Sequence, residues 1–177
     1  MRCCWCNEKN KLYVDYHDNE WGQLNLDEHY LFEMLTLEIF QAGLSWECVL
    51  NKREAFRKAY SNFDLDSVCG FDENKMLKLS LNSGIIRNKL KIKASIKNAH
   101  IFKEIEAEFG SFKDYLFMFT QGKTFIECGK TTSPLSDSIS TDLTKRGMRF
   151  VGSVTIYSFL QAIGIIYSHE ENCFLHK

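Results

Sequence analysis

"IRNKLKIKASIKNAHIFKEIEAEF", residues 86–109, is the stretch whose reading decides the fold. Leu90, Ile92, Ile96, Ala99, Phe102, Ile105 and Phe109 lie along one apolar stripe at helical spacing, which predicts a long helix stopped by Gly110. Working upstream, Asp27 is a candidate N-cap for a helix over 27–41, where Leu31, Phe32, Leu35 and Ile39 keep the same rhythm until Gly43 breaks it. Ser45 caps the next helix, with Val49, Leu50, Phe56 and Tyr60 on its inner face, and a short helix over 72–82 closes at Asn82–Gly84. Downstream, Ser111 caps a short helix, and 120–135 reads as the main loop around the single proline, Pro134. Helices near 140–146 and over 153–166 precede a loop-like tail. Seven or eight helices and no sheet predict an all-α chain, in keeping with the scarcity of proline and of β-branched alternation.

The 177 residues suit one unit over 1–177, with the two chain ends meeting, and a hydrophobic fraction of 45% is that of a globular protein with a sizeable core. A net charge of −1 means that any polyanion must be met by a local patch. "MRCCWCNEKN" lacks the pattern of a signal peptide, and "VTIYSFLQAIGII" is too short to span a bilayer and carries Gln161, so a cytoplasmic protein is expected. Seven cysteines cannot all pair within one chain, and in that compartment they stay reduced.

Three groups of residues carry chemistry. Cys3, Cys4, Cys6 and His17 near one end, with His169, Cys173 and the spare His176 at the other, can supply a closed Cys2His2 zinc site; His169 and Cys173, four apart, share a face of a helical turn. Scattered thiols and surface histidines are the plainer reading. Next, Glu38 stands in the apolar stretch "LTLEIFQAGLSW" (35–46), with Tyr13, Tyr16, Trp21 and Trp46 near helix ends or in the N-terminal segment. A carboxylate among stacking rings suits a flat, electron-poor, hydrogen-bonding ligand such as an alkylated purine; the alternative makes the rings core and Glu38 a cap or ion-pair partner. Last, Arg87 to Lys103 holds six Lys or Arg and no acid, either a phosphate grip following the "SGII" turn or the solvated side of a helix.

"LYVDYHDNEWG" (12–22), "LEIFQAGLSW" (37–46), "SGIIRNKLKI" (83–92), "KRGMRFVG" (145–152) and "YSFLQAIG" (157–164), in this order, resemble the 3-methyladenine DNA glycosylase I family. The resemblance implies a helix-hairpin-helix glycosylase fold with one structural zinc joining the chain ends. Its ligands would be His17, His169, Cys173 and Cys3 of "RCCW", with Cys4 the adjacent competitor. It implies that Glu38 recognises the extruded base with Tyr16 and Trp46 stacking on it, that Trp5 and Tyr13 line the pocket, and that Trp21 supports it. Gly43 and Leu44 would wedge into double-stranded alkylated DNA, while Gly84, Arg87, Lys89 and Lys91 hold its backbone, with Lys145 and Arg146 as a second contact. The protein would act as a monomer, release 3-methyladenine by hydrolysis and leave an abasic site without strand cleavage. One departure is Ile39, where many of that family carry Gly, an expected narrowing of the pocket wall. A non-catalytic module recognising alkylated DNA, and a zinc-stapled helical interaction protein, are the competing readings.

Overall fold

The computed structural model describes residues 1–177, which form ten α-helices and one pair of two-residue strands. Helix α1 covers Lys11–Asn19, α2 Glu28–Gln41, α3 Trp46–Leu50, α4 Arg53–Ala59, α5 Leu65–Cys69, α6 Glu73–Leu81, α7 Lys89–Phe109, α8 Phe112–Thr120, α9 Pro134–Lys145 and α10 Ser153–Ala162. Strands β1 (Phe125–Ile126) and β2 (Ile166–Tyr167) run parallel.

The expected stripe buries α7, and Gly110 ends it with a φ of +94°. The helix begins at Lys89 rather than at 86 because the Asn88 side chain accepts from the Leu90 and Lys91 N–H groups, capping the first turn there. Asp27 caps α2, Ser45 α3 and Ser111 α8, as the sequence indicates, but the single helix expected from Ser45 towards Tyr60 is broken at Asn51–Lys52 into α3 and α4. Helix α2 is buried continuously from Tyr30 to Phe40, so it is the axis around which α7 and α10 pack. A helix with no solvent face must bury whatever polar residues it carries. One apolar cluster of 43 residues extends from Cys3 to Cys173, joining both chain ends to this axis.

Three expectations need correction. Lys11–Asn19 is helical, with Asn10 as its cap, where the sequence placed no helix ahead of 27–41. Pro134 lies at the start of α9 rather than in a loop: a first-turn proline forfeits no intrahelical bond, and Ser133 with Ser136 forms a capping box around it. The tail is not all loop, since Phe125 N–H donates to Ile165 O (2.8 Å) and Glu127 N–H to Tyr167 O (3.0 Å). Runs this short show no alternation to read. Gly164 permits the close approach behind this ladder: its φ is +76°, and a Cβ there would lie 2.4 Å from the Leu24 backbone nitrogen. No helix is long and apolar enough to cross a membrane.

Candidate active site

Helical geometry explains how α1 serves two sites at once. Tyr13, Tyr16 and His17 stand at i, i+3 and i+4, and all three are buried. The tyrosines face a cavity of ≈340 Å³ whose walls also include Trp5, Trp21, Glu38, Gln41 and Trp46. Tyr16 and Trp46 lie with ring centroids 5.2 Å apart at 42°, and Trp5 packs on Tyr13 at 5.3 Å and edge-on to Trp21 at 4.8 Å. The six aromatic and acidic residues picked out for base recognition therefore share one cavity.

Glu38 occupies the last turns of α2, just before the Ala42–Gly43 break, and is 4% exposed. Burial alone acts on its carboxyl, pushing the pKa up to about 8, with no ion pair or hydrogen bond to offset it. Burial raises Tyr13 to about 12 and, reinforced by Glu38, holds Tyr16 well above the usual phenol range, so both hydroxyls remain donors. The Trp46 indole Nε1 is buried without a partner. An unpaired acid, aromatic faces and a spare N–H donor make a receptor for a flat molecule rich in polar edges.

Beside the cavity, Cys3, His17, His169 and Cys173 bring four donor atoms within 4.8 Å of one another, all buried. Cys3 Sγ is 3.4 Å from His169 Nδ1, and Cys173 Sγ is 3.5 Å from both His17 Nε2 and His169 Nδ1. A tetrahedral ion with ordinary zinc bond lengths sets nitrogen–sulfur edges of about 3.5 Å, so the donor set fits such a metal. The surroundings fit too: Asp18 accepts from His17 Nδ1 at 2.8 Å, and the Glu170 and Leu175 N–H groups point at the two sulfurs. Cys4, the competing ligand, is exposed and donates its thiol to Glu170 instead (2.9 Å). Trp21 links the centres, its carbonyl 3.3 Å from His169 Nε2 and its ring against both His169 and Trp5.

The residues expected at DNA divide. Gly43 adopts φ +82° with open space around it, and Leu44 is 42% exposed. Gly84 packs tightly, an added Cβ meeting Ala55 Cβ at 3.2 Å, and Lys52 donates to the Ser83 and Gly84 carbonyls. Arg87 and Lys89 line an open surface groove. Lys91 does not join them: it is buried, and its Nζ donates to the carbonyls of Phe40 (3.0 Å) and Ala42 (2.6 Å). A free helix C-terminus attracts a cation, which here turns the side chain inward, away from any phosphate. Arg146 is likewise engaged, by Glu108 and Asp142. A second groove, formed by Leu90, Lys93, Ala94, Lys97, Arg149 and Phe150, extends the basic face. There the Asn98 side chain bonds both the N–H and the carbonyl of Arg149, each at 2.9 Å. Ile39 is in the core and outside the cavity wall, so it does not narrow the pocket.

Sequence reasoning missed Gln41, Ser158, Gln161, Lys130, Ser168 and Glu170 as cavity residues. Ser158 and Gln161, at i and i+3 in "YSFLQAIG", carry a legible helical signal. Lys130, Ser168 and Glu170 arrive only through the pairing of β1 with β2, which no local pattern announces.

Residues 5–176 match the model of the methyladenine glycosylase family. The chain is 41% identical to the DNA-3-methyladenine glycosylase 1 of Escherichia coli strain K12, over 97% of this chain and 95% of that protein. A crystal structure of a 3-methyladenine DNA glycosylase I superposes with a TM-score of 0.95 at 40% identity, covering 100% of both chains. The Staphylococcus aureus 3-methyladenine DNA glycosylase I, solved to explain 3-methyladenine recognition, gives a TM-score of 0.92 at 31% identity over 97% of this chain and 94% of that one. With the shared fold running through the cavity and both chain ends, this chain belongs to the methyladenine glycosylase family.

Proposed function

We propose that the protein is a DNA-3-methyladenine glycosylase that hydrolyses the N-glycosidic bond of 3-methyladenine in alkylated double-stranded DNA and leaves an abasic site. Its family membership supports the reaction. The observation that carries the reading of the site is Glu38, buried without a partner in a cavity shared with Tyr16 and Trp46. Healthy adenine is neutral and offers little return for ionising that carboxyl. N3-methylation makes the base in the nucleotide cationic, so its arrival favours the charged carboxylate, which accepts from the N6 amino group. Tyr16 and Trp46 stack on the ring, Trp5 and Tyr13 close the cavity, and Trp21 braces it.

A base inside the duplex cannot reach this cavity, so the nucleotide must be extruded. Gly43 and exposed Leu44 enter the vacated space, and Arg87 and Lys89 hold the backbone. The cationic purine is already a good leaving group, departing as a neutral base. Selection, desolvation and positioning therefore account for much of the catalysis, with water taking the sugar carbon and no strand cleavage.

In this reading the Cys3–His17–His169–Cys173 set holds one zinc ion, whose role is to join the two chain ends. The residues themselves keep the frame: Asp18 orients His17, and Trp21 O meets His169 beside the cavity wall. The enzyme works as a single unit and a monomer in the cytoplasm, where its seven thiols stay reduced.

Chromatography of bases released from methylated duplex DNA is the test. Free 3-methyladenine is the expected product, and lesion binding without release would favour the recognition module instead. Metal analysis checks the other centre: Cys3→Ser loses the bound zinc, and Cys4→Ser keeps it.

A further inference from the structure

The short strand pair does more than join the tail to the core. It carries residues 127–130 to the rim of the base cavity, where Lys130 is the only cationic side chain in the wall. Beneath it, Glu127 leaves β1 with its N–H bonded to Tyr167 O and its carbonyl accepting from the Ser168 hydroxyl. The Glu127 side chain is folded under, 17% exposed, with Oε1 3.7 Å from Lys130 Nζ. Its other oxygen is buried beside the Tyr157 hydroxyl, which interacts with both Glu127 and Ser168. Glu127 is thus anchored beneath the rim, and the 55% exposed ammonium of Lys130 is only loosely paired with it.

We propose that Lys130, held at the cavity mouth by Glu127, contacts a backbone phosphate flanking the extruded nucleotide. The inference rests on the glycosylase reading above. A base lodged in the cavity against Tyr16 and Trp46 draws its own phosphates to the rim, where the acid Glu170 would repel them. Lys130 supplies the opposing charge only in that state, whereas Arg87 and Lys89 can meet the duplex before extrusion. A 3.7 Å pair at the surface is weak enough for the ammonium to be shared with a phosphate.

The experiment compares wild type, Lys130→Ala and Lys130→Arg. Each is titrated at several salt concentrations with a duplex holding a tetrahydrofuran abasic analogue together with saturating free 3-methyladenine, and with the undamaged duplex. Lys130→Ala is expected to lower the log–log salt slope by about one on the abasic analogue and to leave it unchanged on undamaged DNA. Lys130→Arg retains the wild-type slope, and all three proteins quench equally with free 3-methyladenine. An unchanged slope in Lys130→Ala overturns the proposal. So does loss of free-base binding, which would make Lys130 a contact to the base rather than to a phosphate, or a borohydride-trapped complex that requires Lys130, which would make it a nucleophile. Failure of the wild type to release 3-methyladenine would defeat the underlying reading independently of the slope.

Discussion

Glu33 and Glu38 lie on one helix, both almost fully buried, and meet opposite fates. Five residues of helix separate them by roughly 140°, so they face different neighbours. Glu33 accepts from Arg53 Nε at 2.7 Å and from Arg57 Nε at 2.8 Å. Burial works against its charge, but the hydrogen bonds from Arg57 and Arg53 outweigh it and hold the carboxyl below its usual range. Glu38 has the burial and none of the compensation, and rises to about 8. A buried acid whose charge the fold neutralises is architecture. One whose charge the fold leaves open is a place for a ligand.

Glu33→Gln should break the first half of this comparison with the largest effect. It strips charge from between two arginines, one of them 9% exposed, and a loss of about 3 kcal/mol in urea denaturation is expected. Glu38→Gln should do the reverse. Stability holds or rises, while affinity for free 3-methyladenine, read by tryptophan quenching, falls roughly 10- to 100-fold with the lost charge-assisted bond. A Glu38→Gln protein as unstable as Glu33→Gln would mean that both acids are merely structural.

Melting temperature against pH sharpens the contrast. The folded Glu38 carboxyl titrates at about 8 against an ordinary 4.5, so its contribution is full at low pH and is lost as pH rises between those values. Glu33 is depressed, so its contribution is present above the ordinary value and is lost as pH falls through the folded one. Glu38→Gln should flatten the curve between about pH 4.5 and 8, and Glu33→Gln its more acidic side, below 4.5. Lys91 is the intermediate case, a buried cation satisfied by neutral carbonyls at the end of the same helix. Lys91→Met is expected to destabilise by only about 1 kcal/mol, with the salt slope of DNA binding unchanged. A slope reduced by one would return Lys91 to the phosphate contacts.

The helices were legible where periodicity and caps agreed, as in α2 and α7. Their ends moved where a single side chain decided, as Asn88 did by capping α7 three residues late. Lys91 was misjudged because charge runs are read as surface, and nothing in "NKLKI" reveals that the end of another helix will lie above its second lysine. The strand pair was invisible because two residues carry no period.

The sequence by itself determined the helical class and the residue types of both centres, since spacing and composition are local properties and the family's motifs are preserved in order. Only the tertiary structure decided that Glu38 stays unpaired while Glu33 does not, that Cys3 rather than Cys4 joins the histidines, and that Lys130 reaches the cavity rim. Each of these depends on which distant groups pack around a side chain. Desolvation and Coulomb partners act through space, and the order of residues along the chain does not specify them.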